Sequence, residues 1–343
     1  MRKQANSKRI LAFIGISISL IAVYYSVKDL NWSEVRLAFS KANFLPLLLL
    51  LPQFYLIYLV RTWRWKLLLP ESEGVTYRNV YEASMLGFFA SSVLPLRAGE
   101  FVRPWIFSRW SSVPVLTCFA SVVVERVFDV LALMLILAIC LSMLELPANL
   151  SIIVAGAKAL SLIAIIISVV MFIAYCKASL IHSLIDSSCK LFLDRKFPEL
   201  AKKIRTLAFE FLDGLKVLKT FSDFFKVVFS SLLLWSAMAF YYQIAIWAFD
   251  VDASYYLGFT VCSFIALAVA APSAPGFLGT FQLGCLFALK DVFGYSQELA
   301  IAYSIIVHLS QYVLTLASGF YILKKRGLQL SKLGAEQTVS VHE

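Results

Sequence analysis

Long apolar runs dominate the chain. Those over residues 10–27, 44–60, 113–145, 151–175, 226–249 and 299–323 approach or exceed the ~20 residues that carry a helix across a bilayer. Each is expected to be a full span. Two further apolar regions, 77–110 and 255–291, are interrupted. The first is broken around Pro95 to Glu100 and the second at Ala271-Pro272-Ser273-Ala274-Pro275-Gly276. Proline removes a helical hydrogen bond and glycine weakens the helix, so each region reads as two short legs of a re-entrant or broken hairpin. The pattern predicts an all-α, polytopic integral membrane helical bundle of about six full spans plus two broken helical hairpins.

The stretch 176–225 is the one long polar segment. Within it Leu200, Ile204, Leu207, Ala208, Phe211, Leu215 and Leu218 recur at helical spacing, with Lys202, Lys203, Glu210, Asp213, Lys216 and Lys219 between them. This is an amphipathic helix, expected on the inner leaflet or packed under the bundle. The chain therefore divides into a transmembrane domain over 1–326, including 176–225, and a polar tail over 327–343.

Composition agrees. The 343 residues are 60% hydrophobic and 15% charged, and the mean hydropathy is +0.81. A soluble domain is about a quarter charged. The net charge of +10 fits cytoplasmic loops of a membrane protein, and no compact basic domain exists to bind nucleic acid. Basic residues at Arg2, Lys3, Lys8 and Arg9 and at Lys324, Lys325 and Arg326 place both termini in the cytoplasm, so the number of crossings is even. On this topology only Lys28, Arg36, Lys41, Lys158 and Lys290 lie on or near the outer side. The first hairpin then enters from the cytoplasm and the second from outside. Opposed broken hairpins are the sign of an inverted repeat with a site between them.

Six cysteines, at 118, 140, 176, 189, 262 and 285, show no CxxC pair and no Cys/His metal spacing. They read as packing residues, and neither metal nor cofactor is expected. The start, Met1 to Val27, resembles a signal peptide, but Ala22-Val23-Tyr24-Tyr25-Ser26 offers no small-x-small cleavage site, which favours a retained first span.

Charge within the apolar regions marks candidate chemistry, because it costs a few kcal/mol per group in a bilayer. One cluster is Arg97, Glu100 and Arg103, at the first break. The other is Glu125-Arg126-Val127-Phe128-Asp129, in which Glu125 and Asp129 share a helix face. Arginine binds phosphate oxygens in pairs, so Arg97, Arg103 and Arg126 suit a lipid phosphate. Glu100, Glu125 and Asp129 balance them to zero. The alternative is an ion network that only pins helices together. Helices restarting near Phe101 and after Pro275-Gly276 would point free N–H groups at an anion. Gly99, Gly276 and Gly279 would allow close backbone approach. Arg61-Thr62-Trp63-Arg64-Trp65-Lys66 reads as an interfacial anchor. His308 reads as a hydrogen-bonded packing residue rather than a proton relay. Asp250-Val251-Asp252 has the form of a sugar-transferase metal motif, but it is a weak signal on the outer side and is discounted.

Four segments carry a resemblance. Ser92 to Glu100 is similar to an Asn-x-x-Leu-Pro-x-Arg-x-Gly-Glu signature, and Glu125 to Asp129 to Glu-Arg-x-x-Asp. Pro275 to Gln282 is similar to Pro-Gly-Gly-x-Gly-x-x-Glu, and Arg61 to Leu68 fits an Arg-Trp-x-x-Leu-Leu element. The ordered set resembles the transmembrane region of lysylphosphatidylglycerol synthases, the flippase-like domain family, over roughly residues 10 to 323. Ser92, Phe277 and Gln282 stand where Asn, Gly and Glu are usual. The last removes a charge from the second hairpin. The resemblance implies a lipid translocase, not an enzyme, for an anionic phospholipid or a polyprenyl-phosphate conjugate. It implies a bacterial inner membrane and neighbouring envelope-lipid biosynthesis enzymes as partners. The chain stops at Glu343 without the soluble aminoacyl-transfer domain, so synthase activity is not expected. Alternatives are a membrane-embedded transferase or a non-transporting scaffold. The candidate substrate-binding set is Arg97, Gly99, Glu100, Arg103, Glu125, Arg126, Asp129, Pro275, Gly276, Gly279 and Gln282.

Overall fold

The computed structural model describes residues 2–94, 99–143, 177–194, 197–215, 220–251, 253–271 and 273–329, with scattered helical positions between 155 and 173. Among them every regular element is helical. The helices are α1 (Arg2–Val27), α2 (Trp32–Lys41), α3 (Leu50–Leu67), α4 (Tyr77–Val93), α5 (Gly99–Trp110) and α6 (Val115–Met143). There follow α7 (Ala178–Phe192), α8 (Pro198–Leu215), α9 (Phe221–Ile246), α10 (Leu257–Ala270), α11 (Thr280–Leu286) and α12 (Gln297–Arg326). Segments Pro46–Leu67, Phe221–Phe249 and Gln297–Arg326 are long and apolar enough to cross a membrane. The chain is an integral membrane, all-α bundle. Most of the expected span at 151–175 lies outside the described residues, as do most of the tail and Asp252.

Both hairpins break where proline dictates. A residue before proline is pushed out of the helical region. Leu94, before Pro95, closes α4 with ψ 146°. Ala271, before Pro272, closes α10 with ψ 148°. Ala274, before Pro275, is extended at ψ 161°. The second break then makes a 3-10 turn over Pro275–Phe277 and passes through positive φ at Gly276 (70°), Phe277 (61°) and Gly279 (85°) before α11 begins. A left-handed conformation costs a residue with a Cβ about 1–2 kcal/mol, so Phe277 is held there by its surroundings.

The hairpins open at opposite ends of the bundle. At the C-terminal end of α12, Lys325 Nζ lies 2.8 Å from Glu82 Oε1 near the start of α4, and Arg326 also pairs with Glu82. At the N-terminal end of α12, Gln297 Oε1 accepts from Lys290 Nζ at 2.8 Å, just beyond α11. The breaks meet between these ends. Tyr312 of α12 donates to the Ser92 carbonyl at 3.4 Å. A Cβ on Gly276 would lie 2.8 Å from the Tyr312 ring and 3.5 Å from that carbonyl oxygen. Helix α1 backs the second break, with Ser19 Oγ accepting from Ala274 N–H at 2.8 Å.

The legs of the first hairpin touch backbone to backbone. A Cβ on Gly99 would fall 1.7 Å from the Gly87 carbonyl oxygen, and one on Gly87 would fall 2.7 Å from Arg103 Cβ. Two elements differ from the sequence expectation. Helix α2 is additional to the expected elements; Asn31 caps it by accepting from Ser33 N–H, and Glu34 lies in its first turn. The amphipathic segment is two helices, α7 and α8, tied by Arg205 to Asp186 at 2.9 Å and to Asp194 at 2.7 Å. The described cysteines, 118, 140, 189, 262 and 285, are free and buried.

Gly99→Ala is expected to push α5 off α4, costing about 1–3 kcal/mol, the usual penalty of overpacking. Gly156→Ala, where a Cβ meets nothing within 4 Å, is the control. The unfolding midpoint in detergent should fall for the first variant and stay level or rise for the second.

Candidate functional site

Helix α3 supplies the centre of the site. Ile57, Tyr58, Arg61, Arg64, Trp65 and Leu68 are buried at helical spacing, so one inward face of the helix carries two arginines. This corrects the reading of Arg61 to Lys66 as an interfacial anchor. Arg64 and Trp65 are both 0% exposed. An arginine near the end of an apolar span looks like an anchor in sequence, and only the packing of α6 against it shows otherwise.

Arg64 Nη2 lies 2.8 Å from Glu125 Oε1, and Arg64 Nη1 pairs with Asp129 Oδ1. Arg103 of α5 grips Glu125 with both terminal nitrogens, at 3.1 Å to Oε1 and 2.8 Å to Oε2. This is the two-pronged geometry for which arginine is suited. Arg126 Nη2 adds 3.0 Å to Glu125 Oε1 and 3.1 Å to Asp129 Oδ2. Trp235 of α9 donates its indole N–H to Asp129 Oδ1 at 3.0 Å. Glu125 sits ten residues into α6, ~15 Å from its start. Trp65 positions Arg103: its indole N–H donates to Ser121 Oγ at 2.9 Å, and the Arg103 guanidinium lies 3.7 Å from its ring centroid. Trp235, Arg61, Arg64 and Ser231, whose Oγ accepts from Arg64 Nη1 at 3.3 Å, are members that sequence reasoning missed.

Charge no longer balances once these residues are included. Arg61 is 9% exposed. It donates to Met238 Sδ at 3.1 Å and lies 4.6 Å over the Phe88 ring. It has no carboxylate partner among the described residues, although Asp129, Arg64 and Arg126 are within electrostatic reach. Three guanidinium groups, those of Arg64, Arg103 and Arg126, thus share the carboxylates of Glu125 and Asp129, and Arg61 adds a fourth positive charge beside them. Glu100, half-buried in the first turn of α5, acts electrostatically on Arg126. The Nε atoms of Arg64, Arg103 and Arg126 are buried without a hydrogen-bond partner among the described residues.

The structure divides the expected site residues. Arg103, Glu125, Arg126 and Asp129 come together, with Glu100 beside them. Arg97 lies outside the described residues. Gly99 serves the contact between α4 and α5, and α5 begins at Gly99 rather than near Phe101. Pro275, Gly276, Gly279 and Gln282 form a second group at the other break. There Gln282 Nε2 lies 3.0 Å from His308 Nδ1, and His308 Nε2 lies 2.7 Å from the Gly276 carbonyl oxygen. The bonds of the ionic group run to α3, α5, α6 and α9, and those of Gln282 run within the second break and to α12.

Arg64→Met should remove the partner of two buried carboxylates and cost roughly 3–5 kcal/mol. Arg126→Met should cost less, because that side chain is 39% exposed. Denaturant unfolding in detergent measures both, and equal losses would contradict the placement of Arg64 at the centre.

No curated protein and no solved structure matches the chain. The model of one family, the lysylphosphatidylglycerol synthase TM region, matches residues 12–319. With nearly the whole chain matched and both broken hairpins in place, the protein belongs to the lysylphosphatidylglycerol synthase transmembrane region family, integral membrane proteins tied to lipid handling.

Proposed function

We propose that this protein is a flippase-like translocase that moves an anionic phospholipid or a polyprenyl-phosphate-linked lipid between membrane leaflets. The observation that carries this reading is Arg61, a buried guanidinium whose contacts among the described residues are a thioether sulfur and an aromatic face, with no carboxylate bonded to it there. It adjoins a network whose carboxylates are already committed to other arginines. A buried cation is costly in a low dielectric and is stabilised by an incoming anion. A lipid phosphate fits, because its oxygens accept the paired donors of a guanidinium. The Nε donors of Arg64, Arg103 and Arg126, without a partner among the described residues, offer further bonds. The two hairpins opening at opposite ends suit a site reached from either leaflet.

The transferase alternative needs a carboxylate available as base. Of the three carboxylates that could serve, Glu100, Glu125 and Asp129, the last two are held in ion pairs, which weighs against them as bases. Envelope-lipid biosynthesis enzymes are the partners this reading implies.

The test is reconstitution in vesicles with fluorescent phosphatidylglycerol and, in parallel, phosphatidylcholine, followed by quenching from outside. The wild type should move the anionic lipid faster. Arg61→Gln should slow it tenfold or more, since a charge-assisted hydrogen bond contributes about 1.5–3 kcal/mol. It should also fold normally, because no carboxylate loses its partner. Arg61→Gln protein that moves phosphatidylglycerol at the wild-type rate would refute the site.

The orientation belongs to the same proposal: a bacterial inner membrane with α7, α8 and both termini in the cytoplasm. Cysteines introduced at Ser187 and Ser331 should resist an impermeant thiol reagent added to intact cells, and one at Asn149 should react. Labelling at Ser331 would reverse the orientation.

A further inference from the structure

The second break is closed by a short chain of hydrogen bonds that starts and ends on backbone groups of fixed role. Gly279 N–H can only donate, and it donates to Gln282 Oε1 at 2.8 Å. The amide nitrogen of Gln282 therefore faces His308 Nδ1, 3.0 Å away. An amide nitrogen donates and does not accept, so Nδ1 must accept and carries no proton. The ring proton is then on Nε2, which donates to the Gly276 carbonyl oxygen at 2.7 Å. A carbonyl oxygen only accepts, so both ends of the chain require the same tautomer.

Packing holds the ring in that orientation. Phe281 of α11 stacks on it with centroids 4.4 Å apart and planes 12° from parallel. Tyr312, on the ring's own helix, stands edge-on at 6.2 Å. Among the described residues, the groups on the imidazole are thus an amide, a carbonyl and two aromatic rings, none of them charged. Tyr312 is the titratable one, and its hydroxyl donates away to Ser92.

We propose that Gln282 is a positioning residue that fixes His308 as the neutral Nε2–H tautomer. Through it Gln282 clamps the Gly276 carbonyl and the left-handed turn, so the second break is held by a lock that exchanges no proton. Its meaning for transport rests on the translocase reading, but the lock itself does not. A glutamate at 282 could accept from Gly279 N–H but could not donate to Nδ1. Keeping both bonds would require a second proton on His308, and the lock would become an imidazolium–carboxylate pair that opens as that proton leaves. With the amide, the turn is indifferent to pH across the range in which histidines ordinarily titrate.

The experiment is nitrogen NMR of full-length protein in lipid nanodiscs, labelled at histidine, with His182→Gln and His342→Gln leaving His308 as the single signal. The wild-type ring should show one protonated and one unprotonated nitrogen, the Nε2–H form, unchanged between about pH 5 and 8. Gln282→Glu should show a second ring proton at low pH that is lost as pH rises. Gln282→Leu should lose the single tautomer, and amide hydrogen exchange over 276–282 should quicken several-fold. A wild-type His308 that titrates in this range, an Nδ1–H tautomer, or a Gln282→Glu spectrum that ignores pH would each overturn the lock. These readouts involve no lipid movement. Loss of the translocase reading would leave them unchanged, and their failure would leave that reading standing.

Discussion

Glu125 is shared by three guanidinium groups from three helices, and the packing of α3, α5 and α6 is organised around it. Arg64 reaches it from α3, Arg103 from α5 and Arg126 from α6 itself. A buried carboxylate without partners would cost several kcal/mol, so each helix that supplies an arginine is bound to a fixed register relative to α6. Asp129, one turn on, extends the constraint to α9 through Trp235. Other features follow. Helix α5 starts directly after the first break, which sets Arg103 one turn inside it. The legs of that hairpin must approach closely enough for Arg103 to pass α4, hence glycine at 87 and 99. Trp65 then supports the guanidinium, which lies 3.7 Å from its ring centroid.

The two breaks share an origin and differ in what holds them. Each follows a helix stopped by a residue forced extended ahead of proline. The first adjoins a dense ionic group that carries more arginine than carboxylate. The second is closed by an amide, an imidazole and a carbonyl, with small residues of α1 behind it. Helix α12 joins them: Tyr312 touches both breaks at its middle, and Lys325 and Arg326 hold the open end of the first hairpin through Glu82. In the proposed cycle the charged half would meet the lipid phosphate and the neutral half would keep its shape.

Much of this architecture is legible along the chain. Apolar run length set the helices, because backbone polar groups in a bilayer must be satisfied within the segment. The prolines set both breaks to within a residue or two, because their effect on the preceding residue is local. Glu125 and Asp129 were legible as one face of one helix for the same reason. Arg64 was not. Its sequence neighbours, Trp63, Trp65 and Lys66, have the composition of an interfacial anchor, and its burial depends on α5, α6 and α9 closing over it. Arg61 and the surplus of positive charge were hidden with it, since a charge balance needs the full list of groups that share a volume. The roles of Gly99 and Gln282 were likewise decided by contacts outside their own helix, with Gly87 and His308. Local sterics and hydropathy act over a few residues and can be read along a chain. Ion pairing, close approach and tautomer choice join residues tens to hundreds of positions apart, and only the tertiary structure brings those partners together.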